Sequence, residues 1–275
     1  MNAVFHRSLL LPLVPAALFL TFIFALPVGV MLSKSFTDPT LGLQNFIKLI
    51  ESPVYLRALA NTVVVSASVT VICVVLGYPM AYLMAHSTER VRRILVFIVL
   101  VPFWSSILVR TFAWMVLLQK RGLINLILIN LGLLDEPLTL IYNRVGVLIG
   151  MVHVLLPFLI LPLYSVLTRI DKTYTSAAAS LGASPVKTFV RIYFPLSFPG
   201  VASGAVLVFV MGLGYYITPA LLGGPKDLMI AQLIEMQIAD FGNWGLAGAL
   251  AVVLLAGSLL SLALVRKCFF GGSFV

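Results

Sequence analysis

Apolar and polar positions along this chain separate into blocks far longer than a globular core demands. Residues 8–33, 58–88, 145–168, 192–225 and 241–265 contain no Asp, Glu, Lys or Arg, and 94–119 contains only Arg110. A helix needs roughly 20 apolar residues to cross the hydrocarbon core of a bilayer. The pattern therefore predicts six crossings, at about 9–33, 62–84, 94–118, 146–168, 199–222 and 243–265. Run length and the lack of period-two alternation make them helices rather than barrel strands. The first run is too long for a signal-peptide core and no convincing small-x-small cleavage site follows it, so it is read as a retained helix. The expected class is all-α integral membrane, one domain over 1–275.

The connecting stretches carry shorter patterns. Phe46, Ile47, Leu49 and Ile50 alternate with Lys48 and Glu51, which predicts a short interfacial helix. Residues 122–134 are uncharged but too short to cross, and are read as a re-entrant or interfacial helix. Leu228, Ile230, Ala231, Ile234 and Ile238 recur at helical spacing and predict an amphipathic helix over 227–241.

Composition and charge then narrow the picture. With 61% hydrophobic and 10% charged residues the chain is not a soluble domain, in which about a quarter of residues are charged. With the N-terminus inside, the inner segments hold Arg7, Arg90, Arg92, Arg93, Arg169, Lys172, Lys187, Arg191, Arg266 and Lys267 against Glu89 and Asp171. The outer segments balance basic and acidic residues. The net charge of +9 thus reports orientation with both termini in the cytoplasm, not affinity for nucleic acid. His6, His86 and His153 lie far apart, and Cys73 and Cys268 have neither disulfide nor metal spacing, so no catalytic or metal set is expected. No Gly-x-x-x-x-Gly-Lys-Ser/Thr phosphate loop occurs.

The longest inner segment, 170–198, has its own grammar. Ser176–Leu181 favours helix, Gly182 suits a left-handed C-terminal cap, and Ser184-Pro185 restarts a helix as N-cap and first residue. Pro195 and Pro199 are expected to close the second piece before span five. The reading is helix–turn–helix at the membrane surface, with Ala177, Ala178 and Ala179 forming a close-approach face.

Ser176-Ala177-Ala178, three residues, Gly182, nine residues, Ile192, one residue, Phe194-Pro195 resembles the signature of binding-protein-dependent ABC importer permeases. That family reads Glu-Ala-Ala, Gly, Ile and Leu-Pro at these spacings. Ser176 stands in place of its Glu and Phe194 in place of its Leu. The resemblance implies a type I importer permease fold, with 170–198 as a coupling helix seated in a groove of an ATPase subunit. Ser176, Ala177, Ala178, Gly182, Ile192 and Pro195 would carry that contact.

The stretches Val101-Pro102-Phe103-Trp104, Arg110-Thr111, Leu156-Pro157-Phe158 and Ile217-Thr218-Pro219 are similar to the spermidine/putrescine-type branch. What this implies is half of a translocation pathway for a polyamine or, in the same class, an amino-acid derivative, opine or aminophosphonate. The implied partners are a second permease subunit in a heterodimer, two ATP-binding subunits holding ATP and Mg, a periplasmic solute-binding protein and membrane lipid, in a bacterial inner membrane. No cofactor is expected on this chain. From the residues themselves, pathway candidates are Trp104, Ser105, Arg110, Trp114, Tyr215, Tyr216 and Thr218. Aromatic faces hold cations, whereas Arg110 either anchors its helix or favours an anionic or zwitterionic ligand. His153 is expected as a hydrogen-bonded core residue. A secondary transporter is the competing class, and no span carries an Asp or Glu for its proton relay.

Overall fold

In a computed structural model of the chain, residues 13–269 are described. The expected start of span one at residue 9, with Pro12, and the positions of His6 and Arg7 lie outside the described residues. So do the side chains of Lys172, Arg266 and Cys268.

Among the described residues the regular structure is entirely helical. The helices are α1 (Leu13–Leu20), α2 (Leu26–Thr37), α3 (Gln44–Glu51), α4 (Pro53–His86), α5 (Glu89–Trp104), α6 (Ile107–Leu118) and α7 (Leu123–Asn130). They continue with α8 (Arg144–Leu167), α9 (Lys172–Ser180), α10 (Pro185–Thr188), α11 (Phe194–Leu213), α12 (Ile217–Leu222), α13 (Ile230–Ala239) and α14 (Trp244–Phe269). π-Helical turns at Thr21–Ala25 and Phe189–Tyr193 join α1 to α2 and α10 to α11 without a break. Among the described residues six stretches are long and apolar enough to cross a membrane: Val14–Thr37, Pro53–His86, Ile107–Asn130, Arg144–Leu167, Pro185–Leu213 and Trp244–Leu264.

The number of spans agrees with the sequence reading, but two spans are built differently. The run 94–118 is not one helix: α5 ends at Trp104, Ser105 and Ser106 are extended, and α6 begins at Ile107. Pro102 supplies no backbone N–H in the last turn of α5, so the helix is already weakened where the serines interrupt it. The third stretch of sufficient length takes in α6, a turn and the eight-residue α7. Span five is displaced as well. Pro195 and Pro199 do not close a piece before it. The helix runs from Pro185 through both prolines to Leu213 and stops at Gly214, leaving α12 separate. The π turn, where the Phe194 N–H reaches back five residues to the Phe189 carbonyl, widens the helix just ahead of the Pro195 ring.

The described residues group into two compact units, 13–56 with 233–255 and 57–232 with 256–269. In the larger, α8 is the central helix: Met151, Leu155, Leu159 and Leu163 are fully buried. Val65, Val69 and Cys73 of α4 and Val208 of α11 pack around it. Small residues permit this approach. A Cβ on Gly77 would stand 2.5 Å from Leu159 Cδ2, and one on Gly204 2.9 Å from the Leu159 carbonyl oxygen. Close packing of this kind replaces the hydrophobic effect, which lipid cannot supply between helices. Val71, Val75, Phe97 and Leu260, each more than half exposed, present the apolar exterior that lipid requires.

One end of this unit is clasped by polar side chains that the sequence reading did not connect. Arg144 Nε donates to Asp227 Oδ1 at 3.2 Å and its Nη2 to Asn61 Oδ1 at 2.6 Å. Asn61 donates in turn to the Lys226 carbonyl at 2.7 Å, and the Ile230 N–H to Thr62 Oγ1 at 2.9 Å. In the smaller unit, Asn45 donates to the carbonyls of Ser35 at 3.0 Å and Asp38 at 2.8 Å, and Lys34 Nζ lies 4.8 Å above the Trp244 ring. The helix expected around 46–51 is α3. The one expected over 227–241 is α13, with Leu233 rather than Ile234 or Ile238 fully inward.

Candidate functional site

Two places gather the residues singled out in the sequence. The first is the segment between α8 and α11. Asp171 caps α9, its Oδ1 accepting the Thr173 N–H at 2.9 Å. Hydrogen bonds from the Thr173 hydroxyl and backbone hold this exposed carboxyl below its ordinary range. At the other end the Gly182 N–H reaches the Ala179 carbonyl at 2.9 Å and the Ala183 N–H the Ala178 carbonyl at 3.0 Å. This pairing is a Schellman stop, and Gly182 takes the left-handed conformation it needs, at φ +78°. Ser184 caps α10 by accepting the Lys187 N–H at 3.4 Å, with Pro185 in the first turn.

Helix–turn–helix is thus the observed geometry, with one correction. Ala177, Ala178 and Ala179 do not form a common face, because consecutive helical residues point about 100° apart. Ala178 is buried against its own chain, whereas Ala177, Ala179 and Ser176 are exposed. Ile192 is half-buried in the π turn and Pro195 lies exposed in the first turn of α11. The tip is instead apolar: Leu181 is 88% exposed and Val186 71%. Two large aliphatic side chains flanking a glycine turn were the available signal, and in a chain this apolar they do not stand out.

The second place lies around the two interruptions at Ser105–Ser106 and Gly214–Tyr216. Arg110 Nη2 donates to the Ser105 carbonyl at 2.9 Å, capping an acceptor that the helix break sets free. Its Nε is buried without a hydrogen-bond partner. Arg110 also lies within electrostatic reach of His153 and Tyr215. Trp114 Nε1 donates to His153 Nδ1 at 3.1 Å, which fixes the His153 proton on Nε2 and makes it the hydrogen-bonded residue expected. α12 packs on α6 and α8, so closely that a Cβ on Gly150 would stand 2.5 Å from Thr218 Cγ2. Tyr215 Oη and Thr218 Oγ1 are buried beside one another, and Ser66 Oγ is buried beside Gly212 without a hydrogen-bond partner.

The sequence candidates therefore divide. Arg110, Trp114, Tyr215 and Thr218 belong to the packed helices α6, α8 and α12 or to the break beside them. Trp104 is 71% exposed and packs on Phe97 of its own helix at 5.7 Å, and Ser105 turns back to the Pro102 carbonyl at 3.1 Å. Tyr216 is exposed on one side. Ser66 was missed, since a hydroxyl in the middle of a span looks alike whether it bonds its own helix or faces a neighbour. Buried polar groups are nearly always paired, and Arg110 Nε and Ser66 Oγ are exceptions in this apolar interior. Among the described residues no His, Cys, Asp or Glu cluster forms a metal site.

Comparison with known proteins gives consistent matches. The family described as binding-protein-dependent transport system inner membrane component matches residues 74–267. The spermidine/putrescine transport system permease protein PotB of Escherichia coli (strain K12) is 35% identical over 228 residues, 82% of this chain and 82% of that protein. The inner membrane ABC transporter permease protein YdcU of the same organism is 32% identical over 243 residues, covering 83% and 76%. A crystal structure of a bacterial alginate ABC transporter, in complex with alginate pentasaccharide-bound periplasmic protein, shares the fold. Its TM-score is 0.76 at 20% identity, over 98% of this chain and 96% of that one.

Proposed function

We propose that this chain, which belongs to the family of binding-protein-dependent transport system inner membrane components and is the permease subunit of an ABC importer, forms half of a translocation pathway for a polyamine. A permease is a conduit and not itself an enzyme. In this reading a second, non-identical permease subunit supplies the other half of the path. Two ATP-binding subunits hold ATP and Mg, and a periplasmic receptor delivers the solute to the face opposite α9. The excess of basic residues in the inner segments supports a cytoplasmic position for both termini.

The observation that carries the coupling role is the exposed tip around Gly182. With Asp171 capping the start of α9, Ser184 the start of α10 and a left-handed glycine between them, the two helices form a knob presenting Leu181 and Val186. Its second helix continues unbroken through the π turn into α11, so a push on the knob is delivered directly to span five. Ser176, Ala177, Gly182, Ile192 and Pro195 take part as contact or framework, and Ala178 as packing.

For the solute, the PotB likeness supports spermidine or putrescine, and Tyr215 and Trp114 supply aromatic faces. Arg110 favours a second reading, a solute bearing a carboxylate or phosphonate beside its amine, because its buried Nε–H lacks an acceptor. Uptake by the reconstituted importer, with its cognate receptor and labelled spermidine, decides between them. Polyamine uptake inhibited by putrescine but not by zwitterionic amino acids is expected, and the reverse order of competition overturns the polyamine assignment.

A further inference from the structure

A groove of about 570 Å³ lies on the larger unit between α4, α11 and the last turns of α14. Val201 and Ala202 are buried at its floor, whereas Val71 and Leu264 on its rims are more than half exposed. Two hydroxyls line it, and each donates within its own helix. Thr70 Oγ1 bonds to the Ser66 carbonyl and Ser261 Oγ to the Ser258 carbonyl, both at 2.7 Å. No charged or amide side chain is among the described lining residues, so the wall offers a ligand close contact rather than hydrogen bonds.

Its dimensions select the occupant. Phe198 and Phe209 mark its length on α11. Eleven residues at a 1.5 Å rise span about 16 Å, half of the ~30 Å hydrocarbon core and so the reach of one leaflet's acyl chains. A helix of a second subunit is too wide. A cylinder about 10 Å across and 16 Å long fills about 1,250 Å³, twice what the groove holds. A single alkyl chain fits both the length and the section.

Cations mark one end. Successive crossings run in opposite directions, so the Phe198 end of the groove on α11 is also the Leu264 end on α14. Lys267 follows Leu264 by three residues, on the same helix face, and is exposed. Arg191 precedes Phe198 by seven residues in the continuous helix and is exposed as well. No Asp or Glu occurs in 185–213 or 244–269 to oppose them. A phosphate at that end meets positive charge.

We propose that the groove holds one acyl chain of an anionic phospholipid, whose phosphate pairs with Lys267 and Arg191. The site lies apart from Arg110, Tyr215 and Thr218, and does not depend on which solute crosses.

The test uses the assembled importer in nanodiscs holding equal amounts of phosphatidylglycerol and phosphatidylcholine with identical acyl chains. A benzophenone amino acid is placed at Phe209, and its photoadducts are identified by mass spectrometry. A lipid adduct is expected, with phosphatidylglycerol in about fivefold excess over phosphatidylcholine. Ala67→Phe, on the exposed wall, occupies the groove and should cut the adduct by about fivefold. A benzophenone at the lipid-facing Phe97, which does not line the groove, should keep its yield in that variant. Should Ala67→Phe fail to assemble, Ser261→Phe is read in its place with the same expectation. Lys267→Gln should lower the phosphatidylglycerol excess at least about twofold. Capture of the second permease subunit at Phe209 would make the groove a subunit interface, and equal adducts of the two lipids would mean unselected bilayer lipid. Either result, or an adduct unchanged by the groove-filling variant or by Lys267→Gln, overturns the proposal.

Discussion

Gly182 and Gly214 both end a helix, but the two positions differ in what they require. Gly182 is conformationally necessary: it sits at φ +78°, with open space where a Cβ would be. Gly214 has an ordinary negative φ of −91° and equally open space, so nothing at that position requires glycine. Around Gly182 the backbone is capped by Asp171, Ser184 and the Schellman bonds. Around Gly214 the hydroxyls of Tyr215 and Thr218 are buried beside one another. The first region is locally closed by caps, and the second keeps polar side chains inside an apolar bundle.

The largest effect that sharpens this contrast is expected from Gly182→Val. A β-branched residue in the left-handed region costs about 1–2 kcal/mol locally, enough to unseat the stop between α9 and α10. ATP-coupled uptake should fall by about tenfold or more while membrane insertion, assayed by fractionation, is unchanged. Gly214→Ala should transport at the parental rate. Equal damage from the two would erase the distinction.

An intermediate effect is expected at the two buried hydroxyls. Tyr215→Phe and Thr218→Val each remove one buried hydroxyl, so thermal stability should change by no more than about 1 kcal/mol. If those hydroxyls meet solute, uptake should fall several-fold at the same time. A loss of stability without a change in uptake would assign them to packing instead.

The smallest effect is expected at Asp171. Its carboxyl is held below the ordinary value of 3.8, so the cap is fully present above that value and is lost as pH falls through the depressed one. Exchange of the Thr173 amide should therefore accelerate only in strong acid. Asp171→Asn, which caps without ionising, should show no such acid step. A step near neutral pH would contradict the assignment of the cap.

Much of this was legible from residue order. Uncharged run length gave six crossings, and the Gly182, Ser184-Pro185 punctuation gave the knob, because caps and left-handed turns are local and each tolerates few residue types. What was not legible depended on distant partners. Nothing near Ser105 announces that Arg110 will cap its carbonyl, and nothing near Asn61 points to Arg144 and Asp227. Span five begins earlier than residue order suggests, because Pro195 and Pro199 read as stops and the π turn ahead of them has no sequence mark. The alanine face failed for a simpler reason, since three consecutive residues cannot share one side of a helix.

The account turns on the knob meeting a nucleotide-hydrolysing subunit through its exposed tip. A photocrosslinking residue placed at Leu181 in the assembled importer tests this most directly, with Ala178, buried against its own chain, as the internal control. The account predicts that Leu181 captures the ATP-binding subunit and Ala178 does not. Capture from Ala178 alone, or from neither position, would contradict it.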